Sequence, residues 1–339
     1  MIRQAIKIVS EGKDLSSTQT QKAFSAIMNG AAEPVQISAF ITALRMKGEA
    51  IEEITAAAKV MRKFASTINV RSGKEPVLDT CGTGGSGANT FNISTIVGLI
   101  ASGCGVKVAK HGNRSASSHC GSADLLEELG VNINLSPKEV ERCIKKVGIG
   151  YMFAPLFHSA MKYAVPVRKA IGIRTIFNIL GPLSNPANAT CQLLGVFDKS
   201  LTVVMARALG NLGVKRAFVV HGLERLDEIS ITGSTQVSEL NNKEVRTYII
   251  TPERHGFKRA KLKDIKGGNA VKNARITLSI LNGEKGPRRD VVLLNAAYAL
   301  VAAGKAKDVS SGVKLAQESI DSSAALGKLN QLRSFKKKK

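Results

Sequence analysis

The sequence has no tryptophan, and aromatic residues make up only 4% of its 339 positions. It also lacks any apolar run near the ~18–20 residues that a membrane-spanning helix needs, which argues against an integral membrane protein. The residues after Met1 do not form the long apolar core of a secretory signal. Because the apolar fraction of 44% is ordinary for globular proteins, we expect a folded cytoplasmic protein.

Cysteine and histidine are scarce as well, with five of each. An odd number of cysteines without a C-x-x-C pair argues against a disulfide framework and against a zinc site, and it suits a reducing cytoplasm. We therefore interpret the cysteines as small buried side chains. His119, His158 and His255 have no partners at metal-ligand spacing and are interpreted as surface or packing residues.

Acidic residues are also few, at 26 against 49 basic ones, so the formal net charge is +23. Residues 241–339 carry +14 of that excess, and the terminal run 336–339 consists of four lysines. Such a balance suggests a polyanionic partner. However, no zinc-finger spacing or aromatic RNA-recognition motif accompanies the basic residues, so a solvated basic surface is favoured over a nucleic-acid site.

The hydrophobic pattern changes near residue 76, and this change predicts two structural units. The first seventy residues show apolar stripes at helical spacing, with Gly48 between two of them. From residue 76 onward, strand and helix patterns alternate, which is typical of a largely parallel sheet covered by helices. The stripes are Ile37, Phe40, Ile41 and Leu44, followed by Ile51, Ile54, Ala58 and Met61.

These patterns predict an α/β protein with a small all-helical N-terminal domain over 1–72 and a larger α/β domain over 73–332. A basic tail over 333–339 follows. A capping box at Ser136 indicates one helix start. Strands are expected over 76–79, 106–109, 131–135, 192–197, 216–221, 237–240 and 245–250. Helices are expected over 93–104, 122–129, 199–212, 269–282, 289–303 and 309–326.

The first candidate site is the glycine-rich segment 79–90. Gly82, Gly84, Gly85 and Gly87 allow the backbone to approach a ligand and to direct several N–H groups at one anion. A helix expected just afterwards would add its positive N-terminal end to the same place. The segment has neither the Gly-Lys-Ser/Thr of a Walker loop nor the full context of a dinucleotide fingerprint. Phosphate binding and a flexible turn before a capped helix both remain possible on this pattern alone.

Two more candidate segments follow other predicted strands. Residues 110–118 combine two cations, a glycine and three serines just beyond a strand end, where open α/β sheets place their ligands. In the segment 221–228, the adjacent carboxylates of Asp227 and Glu228 are hard oxygen ligands suited to Mg²⁺. Taken alone, each segment is also compatible with an ordinary polar surface loop. Together with the glycine-rich segment, they favour a phosphorylated substrate.

The combination of these segments is more specific than any one of them. It spans Gly82 to Gly85, Asn89 to Thr95, Lys110 to Ser118, Phe153 to Pro155, Pro166 to Arg168, Arg174 to Pro186, Leu226 to Ser230 and Gly286 to Asp290. On these motifs, nearly the whole chain resembles the anthranilate phosphoribosyltransferases. The resemblance implies a nucleoside phosphorylase/phosphoribosyltransferase-like fold, in which a stretch near 160–185 returns to the helical domain. It also implies a homodimer formed through that helical domain.

The resemblance further implies transfer of ribose 5-phosphate from phosphoribosyl pyrophosphate (PRPP) to the amine of anthranilate, with release of pyrophosphate, in tryptophan biosynthesis. Lys110 would stabilise charge, and no general base is assigned. Anthranilate would contact Gly82, Asn113 and Arg168, while Mg²⁺ would bind Ser94, Asp227 and Glu228. The residues expected around PRPP are Gly82, Gly85, Ser86, Thr90, Asn92, Ile93, Ser94, Thr95, Lys110, His111, Gly112, Asn113, Arg114, Ser115, Ala116, Ser117, Ser118 and Ser122.

One departure from the family pattern concerns Ser86, because most members of that family have Asp at this position. The nearest alternative is a pyrimidine nucleoside phosphorylase-like enzyme. Its glycine loop usually follows a Lys, whereas Asp79 to Cys81 precede the glycines here. A basic nucleic-acid-binding protein that reuses the fold is a second alternative. It fits poorly with the intact 110–114 and 227–228 motifs.

Overall fold

The computed structural model describes residues 2–71, 73, 75–115 and 119–335. Its first part is a helical module, as the sequence predicts. The capping box of Ser16 starts the second helix, Pro34 occupies the first turn of the third, and Gly48 ends that helix at a φ of +89°. The module consists of α1 (Ile2–Ser10), α2 (Ser17–Met28), α3 (Pro34–Lys47) and α4 (Ile51–Lys63).

A seven-stranded sheet forms the centre of the second part. The strands lie in the order β3-β2-β1-β4-β5-β6-β7. The first five of these are parallel, and the last two add an antiparallel hairpin at one edge. The strands are β1 (Val77–Gly82), β2 (Lys107–Gly112), β3 (Ile149–Phe153), β4 (Cys191–Gly195), β5 (Arg216–Gly222), β6 (Thr235–Asn241) and β7 (Glu244–Ile250).

Helices cover both faces of this sheet, which confirms the predicted α/β class. The predicted capping box at Ser136 is present, with its hydroxyl oxygen accepting the backbone N–H of Glu139. The helices are α5 (Ile93–Gly103), α6 (Ser122–Glu128), α7 (Pro137–Val147), α8 (Ala154–Phe157), α9 (Val165–Ile171), α10 (Phe177–Leu183), α11 (Leu201–Asn211), α12 (Ala270–Leu281), α13 (Pro287–Ala302), α14 (Val309–Asp321) and α15 (Ala324–Ser334). Single turns of 3-10 helix cover Ser159–Tyr163, Pro252–His255 and Leu262–Ile265.

The strand predicted over 131–135 is wrong. Its alternating apolar side chains are buried, but the segment runs as irregular chain. The Asn132 side-chain oxygen accepts the Asn134 backbone N–H at 2.9 Å, so a local bond replaces a strand ladder. The strand that pairs with β2 is instead β3, over Ile149–Phe153.

The helix predicted over 309–326 is in fact two helices, α14 and α15. The chain breaks at Ser323, whose φ of +60° is incompatible with a continuous α-helix. The second helix continues to Ser334, within the segment expected to be a tail. The lysines at 336–339 lie outside the described residues.

The segment around α9 and α10 packs against the helical module. Phe24 of α2 lies 5.7 Å from Phe177 of α10 between ring centroids, and Ala164 and Val167 share the same apolar cluster. Tyr163 also lies against Gly30 at the end of α2, at a distance that leaves no room for a side chain on Gly30. These contacts bring the residues around Arg168 to the boundary between the module and the sheet. Within the described residues, no helix is long and apolar enough to cross a membrane.

Candidate active site

The candidate site lies at the carboxyl edge of the parallel strands. The three segments singled out in the sequence follow β1, β2 and β5, whose neighbouring strand order brings their ends to one edge. Side chains then link the segments directly. Lys110, two residues before the end of β2, reaches Ser94, and the Asp227 carboxylate approaches Gly82 at the end of β1.

The glycine-rich segment after β1 is held at few points. Gly84, Gly85 and Gly87 all have φ values between +66° and +78°, which side chains rarely adopt. Thr83 anchors the start of the loop, because its N–H donates to Gly195 at 2.9 Å and its hydroxyl accepts the Phe197 N–H at 3.0 Å. The sequence-predicted residues Gly82, Ser86 and Thr90 are exposed or partly exposed along this loop. The loop is therefore a polar backbone surface open to an anion.

Arg174 braces the middle of the same loop, a role that the sequence motifs did not indicate. Its guanidinium donates to the Gly85 carbonyl at 2.6 Å and stacks on the Phe197 ring, 4.3 Å from the centroid. The arginine is exposed, and a side chain on Gly85 would lie 3.3 Å from it. Arg174 thus adds a positive charge beside the glycine loop.

Helix α5 begins where the glycine segment ends. Asn92 occupies the N-cap position, but its side chain does not cap the helix. Ile93 and Thr95 are buried, whereas Ser94 is partly exposed at the first turn. The Thr95 hydroxyl has no hydrogen-bond partner among the described residues. The first-turn N–H groups of Ile93 and Thr95 donate to the Phe91 and Asn92 carbonyls, so α5 offers an anion the positive end of its dipole rather than free N–H groups.

Lys110 is a buried cation at the centre of the site, with 3% of its surface exposed. Its ammonium donates to the Thr80 carbonyl and, at 3.3 Å, to the Ser94 hydroxyl. Burial lowers the pKa of Lys110, while the nearby Asp79 and Glu228 carboxylates oppose that shift. Asp79 is itself buried, which raises its pKa, and it accepts a bond from Asn185 at 2.7 Å.

The carboxylate segment packs tightly onto the strand ends. A Cβ on Gly195 at the end of β4 would lie 1.7 Å from the Asp227 carbonyl oxygen, so that position requires glycine. The Asp227 carboxylate also lies close to Gly82, because a Cβ added to Gly82 would lie 3.2 Å from the Asp227 Oδ2 atom. Desolvation and the neighbouring Asp227 raise the pKa of Glu228 well above its usual range, while Lys110 opposes this. Glu228 also accepts a backbone hydrogen bond from Ser94.

Ser94, Asp227 and Glu228 offer the oxygen donors that Mg²⁺ prefers. In the described part of the chain there is no cluster of three or more histidine, cysteine, aspartate or glutamate side chains suited to a metal. The two carboxylates and one hydroxyl nevertheless fit Mg²⁺, which keeps several waters and is often completed by substrate phosphates.

The segment after β2 is folded back onto helix α6. Arg114 pairs with Asp124 at 2.9 Å and with Glu127 at 2.8 Å. Ser122 hydrogen-bonds Tyr151 at 2.9 Å, and a side chain on Gly112 would lie 2.3 Å from the Ser122 hydroxyl. Asn113, Ser115 and His111 adjoin this turn, whereas Ala116, Ser117 and Ser118 lie outside the described residues.

Three further polar residues are buried or partly buried: Arg168 on α9, which contacts α3 of the helical module, and the neighbouring His111 and His158. Arg168 is partly buried, which lowers its pKa, and its guanidinium lies 5.6 Å from the Phe177 ring centroid. His111 and His158 lie 5.0 Å apart between ring centroids. Burial lowers the pKa of His111 to about 3 and that of His158 to about 4, so both rings are neutral at physiological pH.

His158 is a packing residue, one of the two interpretations that the sequence leaves open. The His158 ring is buried, and its Nε2 atom and that of His111 lack hydrogen-bond partners among the described residues. Buried polar atoms are normally paired, so two unpaired ring nitrogens side by side indicate a place for a ligand or ordered water. His158 follows the Phe153 to Pro155 motif, but its spacing gave no signal of this pairing.

Comparisons with known proteins agree with this architecture. Residues 3–65 match a family model described as the glycosyl transferase family helical bundle domain, and residues 74–326 match that family's a/b domain. An anthranilate phosphoribosyltransferase from Trichlorobacter lovleyi is 54% identical over 98% of this chain and 99% of its own length. The chain belongs to the anthranilate phosphoribosyltransferase family. The predicted family and fold class are thus confirmed.

Solved structures of this family superpose over nearly the full chain. An anthranilate phosphoribosyltransferase from Thermus thermophilus has a TM-score of 0.92 at 42% identity and covers 98% of both chains. The enzyme from Saccharomyces cerevisiae, solved in complex with PRPP and Mg, has a TM-score of 0.88 at 29% identity. It covers 98% of this chain and 96% of its own. Family membership does not favour the nucleoside phosphorylase-like or nucleic-acid-binding alternatives.

Proposed function

We propose that the chain transfers ribose 5-phosphate from PRPP to the amine of anthranilate and releases pyrophosphate. The C1–O bond of PRPP breaks, a C1–N bond forms, and the amine loses a proton. The observation that carries this proposal is the junction of Lys110, Ser94 and Glu228, which ties three anion- or metal-binding segments into one site. The yeast relative crystallised with PRPP and Mg supports the choice of donor and metal.

On the donor side, the chain's task is to hold an anionic leaving group. The glycine loop supplies backbone N–H groups, the N-terminus of α5 supplies the positive end of the helix dipole, and Lys110 supplies a fixed positive charge. Asp227, Glu228 and Ser94 would hold Mg²⁺, which neutralises charge on the departing pyrophosphate. Because Lys110 is buried and Asp227 is packed against Gly195 before the substrate arrives, little reorganisation of these two residues accompanies the loss of the leaving group.

The remaining donor contacts follow the same reasoning. We propose that the segments after β1 and β2 surround the diphosphate and the ribose phosphate. Arg114 can join them, since its present partners Asp124 and Glu127 are partly exposed and exchange readily for a phosphate. The proposed PRPP set is Gly82, Gly85, Ser86, Thr90, Asn92, Ile93, Ser94, Thr95, Lys110, His111, Gly112, Asn113, Arg114, Ser115, Ala116, Ser117, Ser118 and Ser122.

For the acceptor, we propose that anthranilate lies between the carboxyl edge of the parallel strands and α9. Arg168 is the cation suited to its carboxylate, because a guanidinium presents two parallel donors. Gly82 and Asn113 would face the same molecule from the strand ends. The neutral His111 and His158 rings add aromatic surface without adding charge. The amine needs no dedicated base, because its proton can leave after the new bond has formed.

We also propose that the protein works as a cytoplasmic homodimer in tryptophan biosynthesis, with a helical domain over 1–72 and an α/β domain over 73–332. Val35 and Met46 of α3 support a contact through the helical domain, since 73% and 81% of their surfaces are exposed. Sedimentation of the protein should show a dimer. Charged substitutions at both positions should then give monomers, and an unchanged dimer would place the contact elsewhere.

A direct assay tests the proposed function. The protein is mixed with PRPP, Mg²⁺ and anthranilate, and the loss of anthranilate fluorescence is followed. We expect consumption that requires all three components. The double variant Asp227→Asn, Glu228→Gln is the matched control, since it keeps the size of both side chains but removes both charges. Folded wild-type protein that consumes no anthranilate would overturn the proposal.

A further inference from the structure

Asn273 of α12 is a buried polar side chain that lies outside the three candidate segments 79–90, 110–118 and 221–228. Only 1% of its surface is exposed. Its side-chain oxygen accepts the Gly268 backbone N–H at 2.8 Å, and its amide nitrogen donates to the Asn92 side-chain oxygen at 2.9 Å. Buried amides with both ends satisfied define one local arrangement, because each lost partner leaves an unpaired polar atom.

The bond to Asn92 explains why that residue does not cap α5. Asparagine at an N-cap position usually accepts a bond from the first turn of its helix. Here the Asn92 oxygen is occupied by Asn273, and the Asn92 amide nitrogen donates to the Cys120 carbonyl at 3.0 Å. Asn92 therefore does not cap α5 with its side chain, and among the first-turn N–H groups that of Ile93 donates to the Phe91 carbonyl and that of Thr95 to the Asn92 carbonyl. The N–H of Ser94 is directed at the Glu228 carboxylate.

The chain just before α12 also packs closely against residues 89–92. A Cβ on Gly267 would lie 2.6 Å from the Phe91 nitrogen and 2.8 Å from the Asn273 oxygen. The Gly267 N–H donates to the Asn89 carbonyl at 2.9 Å, and Lys266 pairs with Thr90 as an isolated antiparallel bridge. Residues 266–273 thus form a fixed support for residues 89–92.

We propose that Asn273 is a positioning residue of the donor site. By binding the Asn92 side chain, it fixes Asn92 and the start of α5 beside the proposed phosphate site of PRPP. This inference rests on the proposed function, since it concerns the same donor. Asn273 does not touch the substrate in this proposal and acts only through Asn92.

The variant Asn273→Asp tests this role with little change in volume. The Gly268 N–H keeps an acceptor, but Asn92 then faces a carboxylate oxygen instead of a donor. Asn92 must lose that bond or rotate and give up its bond to Cys120. We expect the KM for PRPP to rise about tenfold, with the KM for anthranilate changed less than about twofold. Asn282→Asp, at the exposed end of the same helix, should change neither constant.

A second variant covers the case in which Asn273→Asp does not fold. Gly267→Ala pushes on Phe91 without placing a charge in the core, and we expect the same selective rise in the PRPP constant. Equal changes in both Michaelis constants, or no change with folded protein, would overturn the inference. Calorimetric titration of PRPP with Mg²⁺ separates the two claims. If the wild-type protein neither binds PRPP nor consumes anthranilate, the proposed function fails; normal wild-type behaviour with an unselective variant refutes the positioning role alone.

Discussion

The glycine loop 83–88 and the carboxylate loop 226–230 lie at the same edge of the sheet, yet they are held very differently. Every residue of the glycine loop is exposed or partly exposed. Among the described residues, the hydrogen bond that links residues 84–88 to the rest of the protein is the one that Arg174 donates to the Gly85 carbonyl. In the carboxylate loop, by contrast, Leu226, Ile229 and Ser230 are buried. One loop is a loose polar surface, and the other is part of the core.

The carboxylate loop owes its rigidity to a few specific contacts. Buried Asn295 of α13 accepts the Ile229 N–H at 3.0 Å and donates to the Ile229 carbonyl at 2.8 Å. Gly222 and Leu226 exchange two backbone bonds, and Asp227 rests on Gly195. A metal ligand must be set in advance, whereas a phosphate cradle must admit and release its anion. Under the proposed function, the carboxylate loop would meet the first requirement and the glycine loop the second.

The largest effect is expected from Gly195→Ala, which places a methyl group against the carboxylate loop. The new Cβ would lie 1.7 Å from the Asp227 carbonyl oxygen, so the carboxylate must move. We expect kcat/KM to fall about 100-fold. Overpacking should also destabilise the protein by about 1–3 kcal/mol. Steady-state kinetics and thermal unfolding measure the two effects.

Gly327→Ala is the control, since a Cβ there meets nothing within 4 Å and Gly327 belongs to none of the proposed site segments. It should leave both activity and stability near the wild-type values. If Gly195→Ala keeps wild-type kcat/KM, the carboxylate loop does not need a fixed position, and the contrast between the two loops loses its functional meaning.

A smaller and different effect is expected from Arg168→Ala, because Arg168 belongs to neither donor loop. Loss of a charge-assisted bond to the anthranilate carboxylate should raise the KM for anthranilate about 10- to 100-fold. The KM for PRPP should change little. Lys169→Ala removes the neighbouring exposed cation and serves as the control. Equal rises in both constants would mean that Arg168 does not bind the acceptor.

The smallest effect is expected from Arg174→Ala, which loosens the glycine loop. Its loss removes the 2.6 Å bond to Gly85 and the stacking on Phe197. We expect the KM for PRPP to rise about fivefold with the melting temperature nearly unchanged, since the loop is peripheral. Arg174→Lys keeps the charge but loses the stacking, so it separates charge from bracing. A large fall in melting temperature would show that the glycine loop is as integral to the core as the carboxylate loop.

The two loops also differ in how far the sequence predicts them. The glycine loop and the start of α5 depend on local preferences, so the pattern at 82–95 identifies both. The adjacent carboxylates at 227–228 indicate metal chemistry, but their rigidity comes from Asn295, a residue far away in the chain. The alternation at 131–135 predicted a strand because burial alternates there, yet alternation does not specify a hydrogen-bonded neighbour. The sequence does not single out Asn273, and it indicates only a surface or packing role for His158, because their partners Asn92 and His111 are distant in sequence.

The central claim is that the two loops form one PRPP site linked through Mg²⁺. The affinity for PRPP, measured by calorimetry with and without Mg²⁺, tests it most directly in the wild-type protein and in the double variant Asp227→Asn, Glu228→Gln. We predict that Mg²⁺ tightens PRPP binding about tenfold or more in the wild-type protein. In the folded double variant, the same addition should have little effect. An equal gain in both proteins would contradict the claim.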